Sequence, residues 1–130
     1  MSNQIDYSLE HIHVYCSDMA ATERWFVSGM GAELVKHMEI KGSPATELHM
    51  GGVRLLLRGP RAGEVLGAGG TGRCGFDHLA ILVNDMDATV VELKRSGVEF
   101  EMEPQPLDAV TRMAFVRGPD ALRIELLERA

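Results

Sequence analysis

Three residues far apart in the chain are of types that bind metal ions: His11, His78 and Glu125. His11 opens the stretch HIHVYCSD, His78 opens HLAILVND, and Glu125 lies inside RIELLER. Two imidazoles and one carboxylate form a ligand set that leaves metal positions open for water, substrate or O₂. The alternative is that both histidines are core residues inherited from a common repeat and that Glu125 is a surface acid on an edge strand. Spacing alone leaves both interpretations open.

The two histidines occupy equivalent places in an internal repeat. EHIHVYCSDMAATERWF, residues 10 to 26, aligns with DHLAILVNDMDATVVEL, residues 77 to 93. In each copy an aspartate follows the histidine by seven residues, Asp18 in the first copy and Asp85 in the second. A match of this kind at about half the chain length indicates a duplication.

Each copy predicts the same order of elements. HIHVYCS and HLAILVN alternate as strands do, and Asp18 and Asp85 are candidate N-caps of the helices that follow. These helices are predicted over roughly 19–30 and 86–96, and a strand and a hairpin follow each one. A glycine stands where each helix needs a C-cap, Gly31 and Gly97. The sequence therefore predicts two βαβββ modules in an α+β fold.

The hairpin turns and a glycine-rich linker set the boundaries of these modules. Gly51-Gly52 and Gly118-Pro119-Asp120 have the composition of turns. We expect one domain over residues 1–130, in which module 1 covers about 8–59 and module 2 about 76–129. The segment of about 60–75 between them is rich in glycine and is predicted to be a linker.

Side-chain alternation places the candidate residues on particular faces of the strands. His11, His13 and Tyr15 share one face of the first strand. Glu125 shares a face with Arg123 and Leu127 on the last strand. A carboxylate on a strand that is at least half buried is costly unless it is paired or bound to a cation.

The bulk properties exclude several classes of function. The net charge of −6 at pH 7 comes with no basic stripe, which argues against a nucleic-acid partner. No apolar run approaches the ~20 residues of a membrane span. The stretch MSNQIDYSLEH has neither the basic nor the apolar region of a signal peptide, so we expect a cytoplasmic protein.

These features resemble the vicinal oxygen chelate superfamily, which includes glyoxalase I, extradiol dioxygenases, fosfomycin-resistance transferases and bleomycin-binding proteins. The two starts HIHVYCSD and HLAILVND and the terminal FVRGPDALRIELLE carry the resemblance, which covers nearly the whole chain. It implies that eight strands of paired modules curl into a metal-binding cup. It also implies that His11, His78 and Glu125 are the metal ligands and that the protein is a homodimer.

One position departs from the four-ligand members of this family. They carry a further carboxylate or amide in the last strand of the first module, where this chain has VRLLLRG. Aligning the turns puts Leu56 opposite Glu125, whereas a straight offset puts Arg58 there. Neither side chain is a metal ligand, which makes the three-ligand pattern similar to that of extradiol dioxygenases and fosfomycin transferases. The expected cofactor is one divalent ion per site, with Fe²⁺ favoured and Mn²⁺, Ni²⁺, Co²⁺ or Zn²⁺ as alternatives.

The resulting expectation is a metal-dependent enzyme that acts on a small oxygen-rich organic molecule, with dioxygenase-like or lyase/isomerase-like chemistry. A metal-free drug-binding protein and a fosfomycin-type thiol transferase are the alternatives. Proton transfer needs a base, and His13 and His49 are the candidates because an imidazole titrates near neutral pH. Tyr15 is a candidate hydrogen-bond donor to substrate. The non-catalytic alternatives are a supporting hydrogen bond for His13, a surface position for His49 and packing for Tyr15.

Overall fold

A computed structural model describes residues 4–69 and 74–130. Residues 70–73, inside the predicted linker, lie outside the described part, as do residues 1–3. The chain divides into two compact units, Met1–Glu64 and Val65–Ala130. Each unit contains one βαβββ module, so the predicted fold class is confirmed.

The first unit is a four-stranded mixed sheet with one helix. The sheet has the order β1-β4-β3-β2, with β1 parallel to β4 and the other pairs antiparallel. A π-helical turn over Trp25–Gly29 extends the helix. The elements are β1 (Ile12–Tyr15), α1 (Met19–Arg24), β2 (Glu33–Ile40), β3 (Ser43–Met50) and β4 (Val53–Arg58).

The second unit repeats this topology. Its sheet has the order β5-β8-β7-β6, with β5 parallel to β8 and the other pairs antiparallel. A turn over Pro119–Ala121, with positive φ at Asp120 and Ala121, joins the last two strands. The elements are β5 (Leu79–Leu82), α2 (Met86–Arg95), β6 (Phe100–Pro106), β7 (Thr111–Arg117) and β8 (Arg123–Arg129).

Both helices start and end where local chemistry predicts. The Asp18 side chain accepts a hydrogen bond of 3.0 Å from the backbone N–H of Ala21, and Asp85 accepts one of 3.0 Å from Ala88. These bonds satisfy N–H groups that the first helical turn leaves without partners. The glycines after the helices have the left-handed conformation of a C-cap, with φ of 75° and 84° at Gly31 and Gly97.

One face of each sheet packs against the helix of its own unit. In the first unit, Leu55 and Leu57 of β4 are buried beneath α1. In the second, Ile124 and Leu126 of β8 are buried beneath α2. Because strand side chains alternate, the residues between them, Leu56 and Glu125 among them, project from the opposite face. Among the described residues, neither helix is long and apolar enough to cross a bilayer.

Candidate metal centre

In the second unit, His78 and Glu125 meet. His78 directly precedes β5, and the parallel register pairs the next residues of β5 with Ile124 and Glu125 of β8. The Nε2 atom of His78 lies 3.1 Å from Oε1 of Glu125. The Glu125 side chain is 12% exposed, so this contact is largely withdrawn from water.

Asp77 orients the His78 ring from the other side. Its Oδ2 atom lies 2.6 Å from Nδ1 of His78 and accepts a hydrogen bond of 2.7 Å from Arg123. The hydrogen bond from His78, together with that from Arg123, lowers the pKa of Asp77, so this carboxyl group is ionised at neutral pH. With the Nδ1 proton directed to Asp77, a neutral imidazole presents only a lone pair at Nε2.

This lone pair and the Glu125 carboxylate both offer electron pairs, and they face each other. Only a cation between them, either a proton on Nε2 or a metal ion, makes the contact favourable. Two ligand atoms that each lie about 2.1 Å from one metal ion, at a right angle to each other, are about 3 Å apart. The distance between His78 and Glu125 therefore fits two ligands of a divalent ion.

Aromatic and cationic groups support this pair. Phe115 of β7 is the antiparallel partner of Glu125, and its ring packs edge-on against His78 with 5.2 Å between centroids. The Arg123 guanidinium lies over the Phe115 ring, 3.9 Å from its centroid. Glu101 also accepts a hydrogen bond from Arg123. The apolar ring keeps water from the side of His78, which strengthens the electrostatic interactions there.

In the first unit, His11 and His13 lie side by side. Their ring centroids are 5.6 Å apart, which confirms that the two residues share a face. Nδ1 of His11 is buried, and it has no hydrogen-bond partner within the described part of the chain, although the Glu10 carboxylate lies 3.6 Å away. A buried polar nitrogen without a partner costs free energy, and a hydrogen bond from Nδ1 to the nearby Glu10 carboxylate would remove that cost and leave Nε2 for another ligand.

The strand register settles which residue of the first unit corresponds to Glu125. In β1 and β4, His13 pairs with Leu56, and in β5 and β8, the equivalent Ala80 pairs with Glu125. The alignment on the turns was therefore the right one, and Arg58 lies two residues further along the strand. An apolar side chain occupies this position, so the first unit supplies no carboxylate from β4.

The nearest acid to this position, Glu47, is already held by other residues. It pairs with Leu56 across β3 and β4, and its oxygens accept hydrogen bonds of 2.8 and 3.1 Å from Arg54. His49 contributes a further contact of 2.9 Å. The bond from Arg54, and then the one from His49, lowers the pKa of Glu47 to about 2. His49 is exposed, and its ring is bound to Glu47.

The two remaining predicted residues, His13 and Tyr15, are both exposed on β1. Partial desolvation lowers the pKa of His13, and the nearby charges of Arg58, His11 and Arg61 lower it further. The Tyr15 hydroxyl accepts a hydrogen bond of 2.6 Å from Arg58. Within the described residues, no three histidine, cysteine, aspartate or glutamate side chains form a metal-binding group. His78 and Glu125 are brought together inside the second unit, and His11 belongs to the first.

Comparison with known proteins identifies the family. The model of the Glyoxalase/Bleomycin resistance protein/Dioxygenase superfamily matches residues 8–126. The chain belongs to this superfamily. It is 31% identical to the uncharacterized protein YwkD of Bacillus subtilis over 128 residues, which cover 94% of this chain and 97% of that protein.

Other members extend this comparison to an enzyme and to the fold. A probable chloroplastic lactoylglutathione lyase of Arabidopsis thaliana is 28% identical, and the match covers 92% of this chain and 35% of that protein. The crystal structure of a glyoxalase family protein from Bacillus cereus matches 99% of this chain and 98% of its own, with 16% identity and a TM-score of 0.83. The superfamily fold is therefore shown over nearly the full chain.

Sequence reasoning missed the acid that precedes the histidine of each module. Glu10 precedes His11 and Asp77 precedes His78, and both carboxylates face the Nδ1 atom of the adjacent ring. The signal was present in the aligned pairs EH and DH of the repeat. Carboxylates of this kind hold the ring of a metal-binding histidine in the required orientation.

Proposed function

We propose that the protein is a divalent-metal-dependent lyase or isomerase that acts on a small oxygen-rich organic molecule. The observation that carries the proposal is the pair of facing donors, His78 Nε2 and Glu125 Oε1, with Asp77 on the opposite ring nitrogen. The Glu125 side chain is largely buried and that of His78 partly so, and a bound cation relieves the repulsion between the nitrogen lone pair and the carboxylate. The likeness to a probable lactoylglutathione lyase favours a lyase within the superfamily.

The proposed third ligand is His11, the repeat equivalent of His78. The Glu10 carboxylate, 3.6 Å from Nδ1 of His11, supports this role because Asp77 takes the same place beside His78. It would come from the same chain or from a second copy in a homodimer. Because Leu56 stands where a fourth protein ligand would be, the proposed set is two histidines and one glutamate. Such a set leaves positions for two substrate oxygens.

When bound, the divalent ion supplies Lewis acidity to neighbouring oxygens of the substrate. The protein's own groups would handle the proton. His13 is exposed beside His11 and is the proposed proton acceptor, with His49 second because Glu47 already engages its ring. Tyr15 is the proposed hydrogen-bond partner of substrate, since the residue is half-exposed on the same face as His13.

The test is elemental analysis of the purified protein and of two histidine variants. We expect a stoichiometric divalent metal in the wild type and its loss in His78→Ala. His37→Ala is the matched control, because His37 is an exposed histidine of β2 that contacts only Glu23 in its described hydrogen bonds. If neither wild type nor control binds a divalent ion, even after reloading under reducing conditions, the proposal is wrong. Iron together with O₂ uptake would move the reaction class to a dioxygenase.

A further inference from the structure

A second set of converging groups lies in the first unit, around Arg58. This arginine ends β4, and its side chain is 8% exposed. The parallel register pairs it with Tyr15 of β1, and its guanidinium lies 4.3 Å from the centre of the tyrosine ring. A buried guanidinium needs an anion to offset the loss of hydration.

That anion is the carboxylate of Glu64. Arg58 donates two hydrogen bonds to it, of 2.7 and 3.1 Å, and so binds both oxygens. The backbone N–H of Arg61 donates a third of 2.7 Å, and the Tyr15 hydroxyl donates a fourth of 3.3 Å. Two-point binding by a planar guanidinium is the geometry that selects a carboxylate. The bonds from Arg58 and Arg61 lower the pKa of Glu64 to about 2, so the group held is an anion.

The other arginine of β4 is held in a different way. Arg54 binds Glu47, whose side chain is 7% exposed and whose backbone is paired with Leu56 in the sheet. Glu64 belongs to no helix or strand, and among the described residues its backbone forms one hydrogen bond, from its N–H to the Arg61 carbonyl. Its carboxylate can therefore withdraw while every hydrogen bond of the sheet remains in place.

We propose that Arg58, Tyr15 and the N–H of Arg61 form a binding site for a carboxylate group of the substrate, and that Glu64 fills this site when no substrate is bound. The link to a substrate rests on the proposed function, whereas the binding of a carboxylate does not. Tyr15, a member of this site, is two residues from His13, the proposed proton acceptor, on the same face of β1. The substrate class is thereby a small organic acid with a negative charge.

The test measures carboxylate binding to the metal-free protein. The probe is glycolate, followed by NMR through the Nε–H signal of Arg58 and the backbone amides of residues 59 and 61–64. We expect Glu64→Ala to bind glycolate about tenfold more tightly than wild type. In wild type, glycolate can bind only the fraction of molecules in which Glu64 has left the site, and the apparent affinity is reduced by that fraction. Glu92→Ala is the control, since Glu92 forms an exposed pair with Arg95 on α2.

Specific results would overturn the proposal. One is a Glu64→Ala protein with native spectra and no gain in glycolate affinity over wild type and Glu92→Ala. Another is equal affinity after Arg58→Lys is added to Glu64→Ala, because a lysine cannot bind both oxygens. Tighter binding of inorganic phosphate than of glycolate would also reject a carboxylate site. If Glu64→Ala fails to fold, Glu64→Gln removes the charge and keeps the shape.

Metal content separates this proposal from the proposed function. Absence of the glycolate effect in the metal-free form of a protein that does take up a divalent ion would refute the carboxylate site alone. A protein that binds glycolate at Arg58 and takes up no divalent ion would refute the metal-dependent function and leave the carboxylate site standing.

Discussion

Replacement of Asp77 tests whether the orientation of His78 matters for metal binding. Asp77 lies 2.6 Å from Nδ1 of His78, while the opposite nitrogen faces Glu125. The carboxylate should hold the ring in place and raise the electron density at Nε2. Both effects would strengthen the bond between His78 and a divalent ion.

The two effects can be separated with two variants. Asparagine keeps an oxygen that accepts from Nδ1 but removes the charge, and alanine removes both. Loss of such a partner typically costs about 10- to 100-fold in metal affinity. Because Arg123 already neutralises part of the Asp77 charge through a 2.7 Å bond, we expect Asp77→Asn near the lower end, about tenfold. Asp77→Ala should fall near the upper end, about 100-fold.

The assay is competition with a chromophoric chelator at constant pH, which yields the dissociation constant of the metal. Asp87→Asn and Asp87→Ala are the matched controls, because Asp87 is an exposed acid of α2 that pairs with Arg112. An Asp77→Ala affinity within twofold of wild type, or an equal loss in the Asp87 variants, would refute the reasoning.

Three further predictions concern stability. Leu126→Ala, at a fully buried position of β8, should lower the free energy of unfolding by about 2–5 kcal/mol in urea titrations. Glu47 has a pKa of about 2 in the folded protein against 4.5 unfolded, so its ionised form stabilises the fold above pH 4.5 and loses this effect as the pH falls towards 2. Glu47→Gln should therefore flatten the dependence of the urea midpoint on pH in that window. Ala121 has a φ of 58°, which strains an alanine, and Ala121→Gly should raise the free energy of unfolding by up to about 1 kcal/mol.

Each of these predictions has a control in the same chain. Leu107→Ala, at a half-exposed position, should cost far less than Leu126→Ala. Glu92→Gln should leave the pH dependence of stability as it is in wild type. Ala109→Gly, in a loop without a positive φ, should be neutral or destabilising, and a gain equal to that of Ala121→Gly would contradict the argument from strain.

Local patterns in the sequence predicted the elements and the family. The duplication is visible as matched residues, and the caps at Asp18 and Asp85 depend on backbone groups only three residues away. The alternation of β8 likewise predicted that Glu125 lies on the face opposite Ile124 and Leu126. These features depend on short-range geometry, which is the same wherever the pattern occurs.

Contacts between distant residues were beyond such patterns. The sequence allowed either Leu56 or Arg58 opposite Glu125, because the turns of the two hairpins differ in length and the offset between the copies changes along the chain. Only the pairing of β1 with β4 decides for Leu56. The bond between Arg58 and Glu64 was equally hidden, since it joins a strand to a segment without regular structure.

The sequence by itself determined two βαβββ modules, the kinship with the superfamily and the identity of the candidate donors. It could do so because caps, turns and strand alternation are set by neighbours in the chain. The tertiary structure decided that His78 faces Glu125, that Asp77 orients the ring and that Glu64 fills the site at Arg58. Those contacts depend on strand register, and register is fixed only when whole strands pair and bury one face together.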